Sequence, residues 1–235
     1  MTPARIPFPY ETLDDLLVRL GGISPERVWL KPAPGTATVR DLTFVYDRYN
    51  RPVELVEGTL VQRATSFRAS LVATDLMCRI MEWDDVGCSR GVTAGAGCTL
   101  QLLKGVVRVP SVSFISWDRF PNRRIPDEPV PKIAPNLAVE LLCEGNTAAE
   151  MARKLGEYFL SGVQLVWYID PRARTVRVFT SPDDVTELDG ADTLNGGAVL
   201  PGFAVEVARL FDQLPPAPKP AKPTKASGKK PKKRK

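Results

Sequence analysis

A chain of 235 residues with 43% apolar and 25% charged side chains can bury one good-sized core, and it contains no apolar run long enough to cross a bilayer. The absence of histidine excludes Ser-His-Asp and Cys-His triads and any imidazole base, so chemistry would fall to carboxylates, lysine and a hard cation such as magnesium. The net charge of +5 belongs to one end: residues 215–235 carry nine Lys or Arg and no acid, which leaves 23 basic against 27 acidic side chains elsewhere. Cys78, Cys88, Cys98 and Cys143 form no CxxC pair, which argues against structural zinc and for free thiols in a reducing compartment. No basic-then-apolar leader opens the chain, and a cytoplasmic location is expected.

Residues 1–10 are proline-rich and irregular in composition. Leu13, Leu16, Leu17 and Leu20 mark a short amphipathic helix closed by Gly21-Gly22. Residues 28–30 suit a strand and 42–47 a weak helix or turn. Beyond Arg51-Pro52, residues 53–62 alternate Val53 and Leu55 against Glu54 and Val56, with a hairpin bend at Glu57-Gly58. Leu71, Ala73, Leu76, Met77 and Ile80 recur at helical spacing over residues 71–83. Residues 86–94 and 99–103 are expected to pair as a hairpin around Gly95-Ala96-Gly97. Strands at 106–109 and 112–117 follow, separated by Pro110, and then a proline-rich loop at 122–135 containing Arg123 and Arg124.

Residues 135–171 form the organising unit, a strand, a helix and a second strand. The apolar run 137–142 has the length of a buried strand. Alternation puts Leu137, Val139 and Leu141 on one face, and Ala138, Glu140 and Leu142 on the other. A carboxylate at Glu140 is costly unless it is paired, metal-bound or open to water. Thr147 and Glu150 make a capping-box pattern, with Asn146 as an alternative cap. Met151, Leu155, Tyr158 and Phe159 form the apolar stripe of the helix. Lys154 lies at the edge of that stripe, where it can snorkel to solvent or reach toward Glu140. Gly162 ends the helix, and residues 164–169 form a strand parallel to the first. Strands at 175–180 and 185–188 pair in antiparallel fashion, and LPGFAVEVARLF closes the domain with a turn or helix. The tail has no apolar residue larger than alanine. It is expected to be disordered, and either to attract polyanions or to act as a solubilising end.

VELVEGTLV, VRVPSVSFISWDR, the 135–171 unit and the closing LPGF together resemble the putative restriction endonuclease family of the PD-(D/E)XK nuclease superfamily. The likeness covers residues 40–212. It implies an α/β fold, a restriction-endonuclease-like mixed β-sheet flanked by helices. That fold would span residues 40–213, after an N-terminal extension with a short helix (1–39) and before a disordered basic tail (214–235). The implied activity is metal-dependent hydrolysis of DNA phosphodiester bonds, with Mg2+ as cofactor and DNA as partner, and with a homodimer left open. By the same resemblance Glu140 is the glutamate of the motif, Lys154 its lysine moved onto the following helix, and Glu57 an earlier acid. Two positions depart from the pattern. The Pro-Asp pair falls on Pro110-Ser111, so Ser111 stands where a metal-binding aspartate is expected, and a frequent aspartate falls on Asn136. Serine brings no anionic oxygen, so magnesium binding and cleavage are expected to be weak or lost, with a binding or protein-interaction module as the alternative.

Overall fold

The computed structural model describes residues 10–84 and 89–215. In chain order these form α1 (Leu13–Arg19), α2 (Val39–Tyr49), the hairpin β1 (Val53–Val56) and β2 (Thr59–Gln62), and α3 (Phe67–Trp83). Four strands follow: β3 (Gly91–Gly95), β4 (Leu100–Leu103), β5 (Val106–Arg108) and β6 (Val112–Ser116). Next come β7 (Leu137–Leu141), α4 (Ala148–Leu160), β8 (Leu165–Asp170), β9 (Thr175–Ser181) and β10 (Asp184–Leu188). A small pair, β11 (Thr193–Asn195) and β12 (Ala204–Glu206), and a 3-10 turn at Val207–Phe211 close the domain.

The principal sheet has six strands in the order β10-β9-β8-β7-β6-β3. Within it only β7 and β8 run parallel, joined through α4 as the sequence pattern requires. A second sheet, ordered β2-β1-β5-β4, stands beside it. The alternation along β7 holds. Leu137, Val139 and Leu141 pack with Val72, Leu76 and Ile80 of α3, whereas Ala138 packs with Met151, Leu155 and Tyr158 of α4. Leu76 and Ile80 are fully buried, and each such side chain contributes about 1.5–3 kcal/mol. Residues before the family-like region are part of this packing. Leu16, Leu20 and Ile23 form a cluster with Val56 and Val61 of the hairpin.

Two expectations of pairing are corrected. β3 and β4 do not form a hairpin: β3 pairs with β6 in the large sheet, and β4 with β5 in the small one. Residues 28–30 contribute a single bridge, Val28 to Val61, rather than a strand. The expected strand start at 86–88 and the tail at 216–235 lie outside the described residues. Among the described residues no helix is long and apolar enough to cross a membrane.

Candidate active site

The two sheets and α4 meet at a buried cluster of charges. Glu140 occupies the α4 side of β7, as its alternation dictates, and is 4% exposed. Lys154 and Tyr158 lie one turn apart on the facing side of α4. Glu140 Oε1 accepts from Lys154 Nζ at 3.1 Å and from Tyr158 Oη at 2.7 Å. The same ammonium donates to Glu54 Oε1 at 3.0 Å. Glu54 comes from β1 in the second sheet and is fully buried. Its other oxygen accepts from Arg108 Nη1 at 2.7 Å, and Arg108 Nε donates to Glu157 Oε2 at 2.6 Å. Lys154 therefore snorkels nowhere; it is 2% exposed and bridges the two sheets.

Burial alone would raise the Glu54 carboxyl. The neighbouring Lys154, Arg108 and Arg63 outweigh it and hold the group well below its ordinary range. Burial and the charges of Glu140 and Glu54 push the Tyr158 hydroxyl up, which keeps it a donor at any ordinary pH. Burial works against the charged form of Arg108 too, yet Glu54 and Glu157 raise it further above its ordinary value.

Ser111 lies beside this cluster, buried and only 5% exposed, with its Oγ accepting from Leu141 N at 3.2 Å. Arg63, just past β2, reaches in from the other side. Its Nη2 donates to Ser111 Oγ at 3.0 Å and lies 3.9 Å from Glu140 Oε2. Glu57 does not join them. It sits in the β1–β2 turn with a positive φ of 48°, half exposed, and pairs with Arg19. Glu54 holds the place expected of Glu57. The family resemblance pointed to Glu57, but the signal for Glu54 was a lone acid inside an apolar alternating run, the same signal that singled out Glu140. Asn136 is also elsewhere, at the far end of β7. There its Oδ1 accepts from Ser116 N and its Nδ2 donates to Gln164, each at 2.8 Å, which clasps the strand entry. Arg63, Arg108 and Tyr158 carried no local signal, because what defines them is contact across the fold.

Above the cluster opens a cleft of about 1320 Å³ whose walls include Arg27, Arg51, Arg63, Arg68 and Arg172 against Glu26 and Glu144. Arg27 is held by Glu150, through contacts of 2.6 and 3.0 Å, and Arg172 by Glu144. Arg68 is exposed and makes no ion pair among the described residues. The side chain of Arg63 belongs both to the cleft wall and to the buried cluster.

Two sheets and a helix thus bring two acids and a lysine together behind the Arg63 wall of an open cleft, in a mixed α/β fold of the restriction-endonuclease-like kind. Residues 40–208 match the Uma2 family, described as "Putative restriction endonuclease", and the chain belongs to that family. No curated protein matches the chain. Among solved structures, a putative nuclease belonging to DUF820 from Anabaena variabilis ATCC 29413 shares the fold, with a TM-score of 0.61 and 18% identity over 69% of this chain and 90% of that one.

Nucleases of this kind typically use a divalent metal. The residues present here do not fit one. Glu54 spends both oxygens on Lys154 and Arg108, and Glu140 spends one on Lys154 and Tyr158. One carboxylate oxygen and a serine hydroxyl remain, and Arg63 lies against both. Among the described residues no group of three or more His, Cys, Asp or Glu is placed to hold an ion.

Proposed function

We propose that this nuclease-fold protein binds DNA along the arginine-lined cleft, and that with its cluster closed on itself it does not cleave DNA efficiently with magnesium. The observation that supports this is the double membership of Arg63, which lines the cleft and caps the place where an ion would sit. Guanidinium groups match phosphate oxygens in geometry and charge, so the exposed Arg51 and Arg68 provide backbone contacts that are independent of sequence. The family description supports DNA over another polyanion as the ligand. The basic tail would add affinity of the same salt-sensitive kind. Free thiols at Cys78, Cys98 and Cys143 suit a cytoplasmic setting.

The test is fluorescence anisotropy with a labelled duplex. Arg51→Glu and Arg68→Glu together should weaken binding and lower the slope of log affinity against log salt by about two contacts' worth, near 1.8. Unchanged affinity and slope would place the interface elsewhere.

The opposite outcome, slow magnesium-dependent cleavage, would require Glu54 and Glu140 to give up their contacts to Lys154. Its mark would be nicking of duplex DNA that appears with Mg2+ and disappears in Glu140→Ala.

A further inference from the structure

The cluster is electrically closed without any ion. Glu54, Glu140 and Glu157 face Arg63, Arg108 and Lys154, three acids against three bases, all in direct contact. Arg153 touches only the rim, 3.6 Å from Glu157. Glu150, the next acid on α4, is neutralised separately by Arg27. Of the three bases Arg63 alone is bound to the serine. Its guanidinium, with the side chain 6% exposed, lies between Ser111 Oγ and Glu140 Oε2.

We infer that the Arg63 guanidinium is a built-in cation that takes the place of a divalent metal, and that Ser111 is the matching half of the exchange. An aspartate at 111 beside Glu140, with no arginine reaching in, would leave an excess of negative charge for an ion to balance. A serine there, with an arginine reaching in, leaves none. The inference deepens the binding-over-cleavage reading and rests on it. The two substitutions are coupled. Ser111→Asp alone presents its carboxylate to Arg63, which it pairs with, and attracts no metal. Ser111→Asp with Arg63→Met leaves the inner cluster two negative charges in excess, which matches one divalent cation. The methionine fills the volume of the arginine stem, so packing is retained.

Calorimetric titration with Mg2+ and with Mn2+, in the absence of DNA, decides the matter. The wild-type chain and Ser111→Asp should show no saturable binding at millimolar metal. The double variant should bind one ion per chain with at least tenfold higher affinity than either, and its thermal midpoint should rise by several degrees when metal is added. Saturable binding by the wild type that is lost in Glu140→Gln would overturn the inference. So would equal metal affinity in Ser111→Asp and the double variant, or a double variant with native circular dichroism and no metal binding. If the double variant does not fold, the first two proteins still decide it. DNA affinity is measured separately, so loss of the cleft reading and loss of the cation reading give different results.

Discussion

A single ammonium holds the centre of the molecule together. Lys154 lies 3.0 Å from Glu54 and 3.1 Å from Glu140, with all three out of water. Removing one partner of a buried ion pair leaves an uncompensated charge, which costs about 3–5 kcal/mol. Lys154→Met should therefore lower the stability measured by urea unfolding by about 3 kcal/mol, the lower end of that range, because Glu54 keeps Arg108 and Glu140 keeps Tyr158 while the cluster loses its central positive charge. The pH dependence follows from Glu54. Its folded value lies below the ordinary 4.5, so its contribution to stability is complete above 4.5 and is lost as the pH falls below it. Glu150, lowered through Arg27 and Lys154 against its burial, acts in the same direction. The urea midpoint should hold steady from about pH 7 to pH 5 and fall steeply below about pH 4.5. Glu54→Gln should be less stable at neutral pH and show a shallower acid limb.

Among the elements, α4 carries most of the load, and it is docked at its first turn. Thr147 caps it by accepting from Glu150 N at 3.0 Å. The second half of the expected capping box is absent because the Glu150 side chain turns to Arg27 instead. Gly21, at φ +89°, lets the end of α1 touch this turn, where an added Cβ would come within 2.5 Å of Glu150 N. Gly22, at φ +70°, has open space around its would-be Cβ. Gly22→Ala should then cost only the left-handed backbone strain, about 1 kcal/mol, whereas Gly21→Ala should cost more than about 2 kcal/mol and loosen α1 from α4. Urea unfolding of the pair separates strain from clash.

Elements built on local periodicity were legible from the chain itself: the β7 alternation, the α3 and α4 stripes, and the Thr147 cap. Pairing was not. Gly95-Ala96-Gly97 resembles a hairpin turn, yet β3 and β4 leave it for different sheets, β3 pairing with β6 and β4 with β5. The site divides along the same line. Glu140 and Lys154 lie where their strand and helix phases put them, and Ser111, singled out only by the family resemblance, lies beside them. Glu54 needed its partners Lys154 and Arg108, 100 and 54 residues away, before it could be told from Glu57.

At the scale of the whole molecule, charge is sorted by position. The buried cluster is balanced, and arginines gather at the mouth of the cleft above it. On the proposed reading, such an arrangement would attract a polyanion to the cleft without recruiting an ion to the cluster. Binding should therefore survive chelation, as it would not if a metal bridged the protein to phosphate. The most direct test is anisotropy of a labelled duplex titrated with the full chain in EDTA, followed by addition of Mg2+ at matched ionic strength and inspection of the strand. The account predicts saturable binding in EDTA that is weakened by Arg68→Glu, and an intact duplex after magnesium. Binding that requires Mg2+, or magnesium-dependent cleavage that Glu140→Ala abolishes, would contradict it.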